Sequence, residues 1–266
     1  TILPKLAEEE FNIFSPSIIL SFIIVFGFVK AITNYYTGKF ANAIGRKNLL
    51  IIGWLIAIPI PFILMYANHW NWVILANILL GINQGLTWSS TVVMKIDLVG
   101  KRQRGLAMGL NESFGYISVA LVAFSTGWIA SEYGIRPYPF YQGIVFVILG
   151  LFLSIFFIKD TIHHVNIEEK SSNIDKLNNV FLETTWTNKN LGSISQAGFV
   201  NNLNDGMIWG LLPIVLLYFQ FSLEQIGLVV AVYPAVWGIG QLFTGKMSDH
   251  FSKKKMLFWG MLLQGV

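Results

Sequence analysis

Long apolar runs, each long enough to cross a lipid bilayer, take up most of this sequence and restrict what it can fold into. A helix crosses the hydrocarbon core with about 20 residues at about 1.5 Å each. Such runs occupy residues 17–36, 49–67, 72–94, 105–130, 140–158, 192–219 and 226–244, and another begins at Met256. The chain is therefore predicted to be an all-α integral membrane protein.

The composition supports this class. Only 12% of the 266 residues are charged and 54% are hydrophobic, whereas a soluble domain carries about 25% charged residues. The chain has no cysteine, which excludes disulfides and thiolate metal sites. Because the net charge of +4 follows the loops of a membrane protein, no nucleic-acid partner is predicted.

A polar segment that separates two apolar runs occurs twice. Residues 38–47 are GKFANAIGRK, and 207 positions later residues 245–254 are GKMSDHFSKK. The flanking runs match at the same offset, with Thr37 against Thr244, Leu50 against Leu257 and Gly53 against Gly260. A repeat that includes both the polar segment and its flanks predicts a duplicated bundle of helices.

The basic residues predict the orientation. Fifteen of the 18 Lys and Arg residues lie in alternate polar segments, which are 38–48, 95–104, 159–190 and 245–255. Short loops rich in Lys and Arg stay in the cytoplasm. These four segments are therefore predicted to be cytoplasmic, and the loops with Lys5 and Arg136 are predicted to face outside.

Two polar stretches carry local predictions. Residues 1–4 are predicted to end a helix that enters an acidic loop at residues 8–10. Within 159–190, a helix on the membrane surface is predicted from the helical spacing of Ile174, Leu177, Phe181 and Thr185. His163 and His164 are adjacent and have no third ligand nearby, so neither a metal nor another cofactor is predicted.

The repeated segment resembles the signature loop of the major facilitator superfamily, with a glycine, a mixed stretch and then Gly45-Arg46-Lys47. Two halves joined by a long cytoplasmic loop, each with a copy of this segment, match the layout of that family. The resemblance implies a first half at 1–158, a central loop at 159–190 and the start of a second half at 191–266. The chain would run from the end of family helix one to the middle of helix nine.

The same resemblance implies a function. Members of this family are secondary transporters, which move a small solute by rocking two halves about a site near the midplane. The expected partners are therefore a small-molecule substrate, the lipid bilayer and a coupling H⁺ or Na⁺, and the expected state is a monomer. The similarity to bacterial drug-efflux members is consistent with efflux of organic compounds, and the sequence leaves the substrate and the direction of transport open.

The sequence departs from the family pattern at several positions. Asn42 stands where the family has Asp, although the second copy keeps Asp249. Ser252 and Lys253 replace a glycine and an arginine, and the fifth span at 105–115 lacks the Gly-Pro pair of antiporters. Asn77 replaces an arginine of many relatives. These departures argue against an exchange mechanism and against a proton relay through the fourth span.

The cytoplasmic segments supply the candidate gating residues. The glycines permit tight turns and close helix approach. The basic residues either set the topology alone or hold helix ends together through partners in the next loop. The full set is Gly38, Asn42, Gly45, Arg46, Lys47, Asp97, Arg104, Gly245, Asp249 and Lys253.

Ionisable residues within the spans are candidates for solute and ion binding. Lys30, Glu112 and Asp205 each cost about 2.5–3.5 kcal/mol to insert, so such residues are usually functional. Lys30 and Glu112 lie at equal depth and are expected to pair, or to share a substrate charge, in only one access state. Polar and aromatic residues at helical spacing complete the set, namely Asn34, Gln84, Trp88, Tyr116, Asn201, Trp209 and Gln241.

Less specific interpretations stay open for many of these residues. The Asn and Gln side chains also suit hydrogen bonds between helices. Trp88 and Trp209 suit either core packing or stacking with a cation or a flat organic solute. Trp70, Trp72 and Tyr138 are predicted to form part of the interfacial aromatic belt.

Two other function classes, a membrane enzyme and a sensor, compete with a transporter. A membrane enzyme would need a nucleophile and a base, and the predicted spans contain neither His nor Cys for this role. No phosphate-binding Walker loop is present, so ATP hydrolysis is not predicted. A transporter-like sensor has the same sequence features as a transporter, and only a measurement of solute flux separates the two.

Overall fold

The computed structural model describes residues 2–99, 103–162, 164–165 and 179–265. These residues form helices and connecting turns, and no strand occurs among them, which confirms the predicted all-α fold. The helices are α1 Leu3–Phe11, α2 Pro16–Ile19, α3 Ser21–Ile44, α4 Arg46–Ala57, α5 Pro59–Tyr66, α6 Trp70–Leu98, α7 Arg104–Tyr133, α8 Tyr138–Phe156, α9 Val180–Leu182, α10 Lys189–Tyr218, α11 Leu223–His250 and α12 Lys253–Gln264.

Among the described residues, five helical stretches are long and apolar enough to cross a membrane: Pro16–Ile44, Arg46–Tyr66, Arg104–Tyr133, Tyr138–Phe156 and Leu223–His250. Helices α6 and α10 are as long as these stretches, with 29 and 30 residues, but they carry more polar side chains than the stretches do. Large apolar side chains cover the outside of the bundle, including Phe28, Ile148 and Phe243. In a bilayer these apolar side chains would contact the lipid tails, which are apolar too. A helix suits this environment because it pairs its backbone polar groups within the segment.

The repeated polar segment is mostly helix, which corrects the predicted loops at 38–48 and 245–255. Helix α3 continues to Ile44, and the chain turns only at Gly45, where φ is +90° and ψ is 144°. In the second copy, α11 continues to His250 before the chain turns. The hydropathy pattern marks where the apolar membrane core ends. It does not mark where the helix ends, because Lys, Asn and Ala are all compatible with a helix in water.

The end of the bundle that is predicted to face outside corrects two further predictions. Residues 8–10 belong to helix α1 and not to a loop, because Leu6 and Ala7 on its other face are fully buried. Trp70 is only 6% exposed, so it belongs to the core and not to the aromatic belt. Its ring meets Phe11 and Phe22, and its indole N–H donates to the carbonyl of Ile18 at 3.2 Å.

The predicted surface helix in the central segment falls largely outside the described residues, as do Ile174, Leu177 and His163. Of the residues on which it was based, Phe181 lies in α9 and Thr185 lies in the π-helical turn Glu183–Thr187 that follows. The ring of Phe181 contacts Tyr35 of α3 edge-on, with centroids 5.8 Å apart. A longer surface helix stays a prediction.

Helices α7 and α11 form the most intimate contact of the bundle and run antiparallel. A β-carbon added to Gly109 would lie 2.8 Å from the Cα of Gly245, and one added to Gly127 would lie 2.8 Å from the Cα of Gly227. Backbone therefore touches backbone near both ends of the pair, which is how small residues drive helix association in membranes. In the predicted division, α7 belongs to the first half and α11 to the second.

Candidate functional site

A row of aromatic rings connects helices α6, α7 and α11. Trp88 of α6 meets Tyr116 of α7 edge-on, with ring centroids 6.5 Å apart. Tyr116 in turn lies 5.6 Å from Trp237 of α11, which lies 6.0 Å from Tyr233 one helical turn away. We call these four side chains the aromatic row. Because it crosses from α7 to α11, it spans the boundary between the predicted halves.

Asp205 of α10 lies at one end of the aromatic row. Its Oδ2 accepts a hydrogen bond from the Tyr116 hydroxyl at 3.4 Å, and its Oδ1 accepts a short one from the Tyr233 hydroxyl. The amide of Asn204 donates to the Tyr233 hydroxyl at 3.4 Å. Hydrogen bonds to an ionised carboxylate are roughly twice as strong as neutral ones. Asp205 therefore joins α10 to helices of both predicted halves.

Lys30 of α3 lies at the other end of the row. Its ammonium group is 5.6 Å from the ring centroid of Phe26 and 5.9 Å from that of Trp88, within the range of cation–π attraction. Among the described residues no carboxylate oxygen lies within 4.0 Å of this nitrogen. Lys30 interacts with Glu112 and Asp205 electrostatically at longer range.

The predicted ion pair between Lys30 and Glu112 is therefore not formed in this structure. The carboxylate of Glu112 accepts a hydrogen bond from the neighbouring Asn111 at 3.2 Å and interacts at a distance with Lys30 and Lys95. Phe26 and Trp88 hold the ammonium group of Lys30 beside their rings instead. A direct pair in another access state stays a prediction.

The other candidates within the spans divide into two groups. Asn34 accepts a hydrogen bond from the Ser89 hydroxyl at 2.8 Å and so connects α3 to α6, as an interhelical hydrogen bond would. The remaining four are half-buried and have no side-chain hydrogen bond or ring contact within the described part of the chain: Gln84, Asn201, Trp209 and Gln241.

Sequence analysis missed two members of the aromatic row. The ring of Trp237 contacts Tyr116, and the hydroxyl of Tyr233 donates to Asp205. Trp209 has no ring contact with the row among the described residues. The signal was available, because positions 233, 237 and 241 are spaced by four and must share one face of α11. Aromatic residues are common in membrane spans, so the spacing of Tyr233 and Trp237 with the candidate Gln241 is not distinctive by itself.

At the predicted cytoplasmic end of the first predicted half, Arg46 is buried and paired. Its Nε donates to Asp97 Oδ2 at 3.1 Å, and the two side chains are only 4% and 10% exposed. The Thr161 hydroxyl donates to the same oxygen at 2.6 Å. The Asp160 carboxylate accepts from the backbone N–H of Lys47 at 2.9 Å, where α4 begins. The predicted contact between Arg46 and Asp97 is confirmed, and its role in gating stays a prediction.

The second copy of the repeat makes a different contact. Asp249 accepts hydrogen bonds from the backbone N–H groups of Gly105 at 2.7 Å and Leu106 at 2.9 Å. These groups lie in the first turn of α7, right after Arg104, where a helix leaves its N–H groups unpaired and attracts negative charge. The carboxylate thus connects α11 to the start of α7, across the predicted boundary between the halves.

The comparison with known families agrees with this architecture. The sequence matches the family described as Major Facilitator Superfamily over residues 1–192 and 194–266. The chain belongs to the Major Facilitator Superfamily. It is therefore a multi-pass protein of the cell membrane, and the resemblance drawn from the repeated segment is confirmed.

Several curated relatives are similar at low identity. The chain is 25% identical over 261 residues to "Multidrug resistance protein MdtG" of Salmonella choleraesuis (strain SC-B67), covering 92% of this chain and 59% of the relative. Over 253 residues it is 26% identical to the protein of the same name from Salmonella arizonae, with coverage of 92% and 59%. "Multidrug resistance protein 2" of Bacillus subtilis (strain 168) is 25% identical over 167 residues, covering 58% of this chain and 39% of the relative.

The chain thus spans less than two thirds of the length of these relatives, from 39% to 59%. No solved structure matches the sequence.

Proposed function

We propose that the full-length protein is a secondary active transporter that moves a small organic solute across the cell membrane by alternating access. The observation that carries this proposal is the aromatic row, with charges at Lys30, Glu112 and Asp205 along it. Such a group of aromatic and ionisable side chains inside a membrane bundle suits binding of a solute and a coupling ion. The names of the relatives support efflux of organic compounds as the direction.

The proposed mechanism uses two halves, at 1–158 and from 191 onward, joined by the central loop at 159–190. The row lies between helices of both halves, so a rocking movement would expose it to each side of the membrane in turn. Glu112 and Asp205 are the carboxylates that would carry a coupling H⁺ or Na⁺. The contacts of Arg46 and Asp249 at the cytoplasmic ends would regulate closure on that side, and the protein would act as a monomer without enzymatic chemistry.

Flux in liposomes tests the proposal. The purified full-length protein would be reconstituted, an H⁺ or Na⁺ gradient imposed, and the accumulation of fluorescent organic solutes measured. We expect gradient-driven flux that Asp205→Asn abolishes and that Asn202→Ala, an exposed change on the same helix, leaves intact. Saturable solute binding without flux under any gradient would contradict transport and favour a sensor.

A further inference from the structure

We infer that Lys30 is the anion-binding point of the proposed transport site, and that the solute carries a carboxylate or a similar anionic group on a planar aromatic ring. The inference rests on the proposed transport function and names the class of its substrate.

The first observation is the state of Lys30. Within the described ranges of the chain, its ammonium group has no carboxylate oxygen within 4.0 Å and no hydrogen-bond acceptor. A charged ammonium offers three N–H donors. A lysine inside a membrane bundle is costly unless it is paired, and an intramembrane charge therefore indicates a ligand or a partner. The rings of Phe26 and Trp88 stabilise the charge without using its donors.

The second observation concerns the two carboxylates of the site, Asp205 and Glu112, which already accept hydrogen bonds within the protein. Each oxygen of Asp205 already accepts a hydrogen bond from a tyrosine hydroxyl, so part of its acceptor capacity is used within the protein. Glu112 accepts one hydrogen bond from Asn111 and acts on Lys30 only at a distance. An anionic solute would meet three unused donors at Lys30, whereas a cationic solute would share acceptors that already receive hydrogen bonds within the protein. The arrangement therefore favours the anion.

The third observation is the shape of the surroundings. Trp88 lies between Lys30 and Tyr116, and its indole lies directly against the backbone of α7 at Gly115, where an added β-carbon would overlap the ring. The indole is thus held in place before any solute binds. An aromatic solute with its anionic group at Lys30 would place its ring against Trp88 and Tyr116, in the edge-to-face or offset geometry that aromatic pairs prefer.

Probes that share a naphthalene ring and carry an anionic, a neutral or a cationic substituent test the inference. Binding of 2-naphthoate, 2-naphthamide and 2-naphthyltrimethylammonium to the purified full-length protein would be measured by thermal shift and by quenching of tryptophan fluorescence. We expect naphthoate to bind at least tenfold more tightly than the amide. Lys30→Met should reduce this preference to about twofold or less, Lys30→Arg should largely keep it, and Lys39→Met, an exposed lysine of the same helix, should not change it.

Each outcome decides the question. The inference is overturned if the amide or the ammonium probe binds as tightly as naphthoate, if naphthoate does not bind, or if Lys30→Met keeps the preference. If Lys30→Met does not fold, Lys30→Gln is measured in its place and should lose the preference in the same way. Failure of the proposed function gives a different result, because naphthoate binding without flux in liposomes would keep the anion site and overturn transport. Flux of the ammonium probe alone would keep transport and overturn the anion site.

Discussion

The two copies of the repeated segment use opposite ends of the same motif. In the first copy Arg46 is buried against Asp97, and Asn42 is exposed. In the second copy Asp249 binds the start of α7, and Lys253, the equivalent of Arg46, is exposed. The basic end of the motif therefore joins helices within the first predicted half, whereas the acidic end joins the two halves.

The glycines that open the two copies differ in the same way. Among the described residues, a β-carbon on Gly38 would have no atom beyond its own helical turn within 4 Å, but one on Gly245 would lie 2.6 Å from the Cα of Gly109. The same residue type is thus only a helical position in one copy and a backbone contact in the other. Among the residues that the structure describes, the two copies therefore pack differently.

The largest expected effect comes from the basic end. Arg46→Met leaves the buried Asp97 without its counter-charge, which should lower the free energy of unfolding by about 3–5 kcal/mol. Lys253→Met removes a charge that is exposed among the described residues and should therefore cost less than Arg46→Met. Unfolding of the full-length protein by denaturant in detergent measures both. Equal losses in the two variants would mean that the copies are not different at this position.

The acidic end should show the reverse order. Asp249→Asn replaces one of two acceptor oxygens with an NH₂ group that faces a backbone N–H, so it should cost about 1.5–3 kcal/mol, as expected for hydrogen bonds to a charged group. Asn42→Ala should change stability by less than about 0.5 kcal/mol. We also expect Asp249→Asn to reduce solute flux more than Asn42→Ala does. Equal and negligible effects on flux would leave both residues as determinants of topology only.

The glycines should respond with opposite signs. Gly245→Ala forces a methyl group onto the backbone of α7, and overpacking of this kind costs about 1–3 kcal/mol. Gly38→Ala adds a methyl group in open space within a helix and should stabilise by up to about 1 kcal/mol, because alanine has the higher helix propensity. Melting temperatures of the two variants, measured side by side, test the difference. A stabilising Gly245→Ala would show that α7 and α11 are further apart than the structure places them.

The class of fold could be predicted from the sequence because the apolar runs and the alternation of basic loops depend on the membrane alone. The extent of the helices could not. Residues 8–10 are acidic and residues 38–44 are mixed in polarity, yet both stretches are helical, because outside the apolar core hydropathy carries no information on backbone conformation. The burial of Trp70 could not be predicted either, because it depends on α1 packing over the indole ring.

The ionisable residues of the candidate site could be found from the sequence, because a charge inside a span is conspicuous. Their partners could not be found in the same way. The bonds of Asp205 to Tyr116 and Tyr233 depend on how α10, α7 and α11 pack, and nothing in the spacing along one helix determines that. The separation of Lys30 from Glu112 has the same origin, because equal depth in the membrane says nothing about lateral distance.

The smallest expected effect restores the family residue in the first copy. Asn42 is exposed and has no side-chain hydrogen bond within the described part of the chain, so Asn42→Asp should change the free energy of unfolding by less than about 0.5 kcal/mol. Asp249→Asn, measured in the same assay, serves as the positive control. A stabilisation of more than about 1 kcal/mol by Asn42→Asp would show that the new carboxylate finds a helix N-terminus, as the carboxylate of Asp249 does. The two copies would then share the acidic contact, and the asymmetry between them would lie only in Asn42 itself.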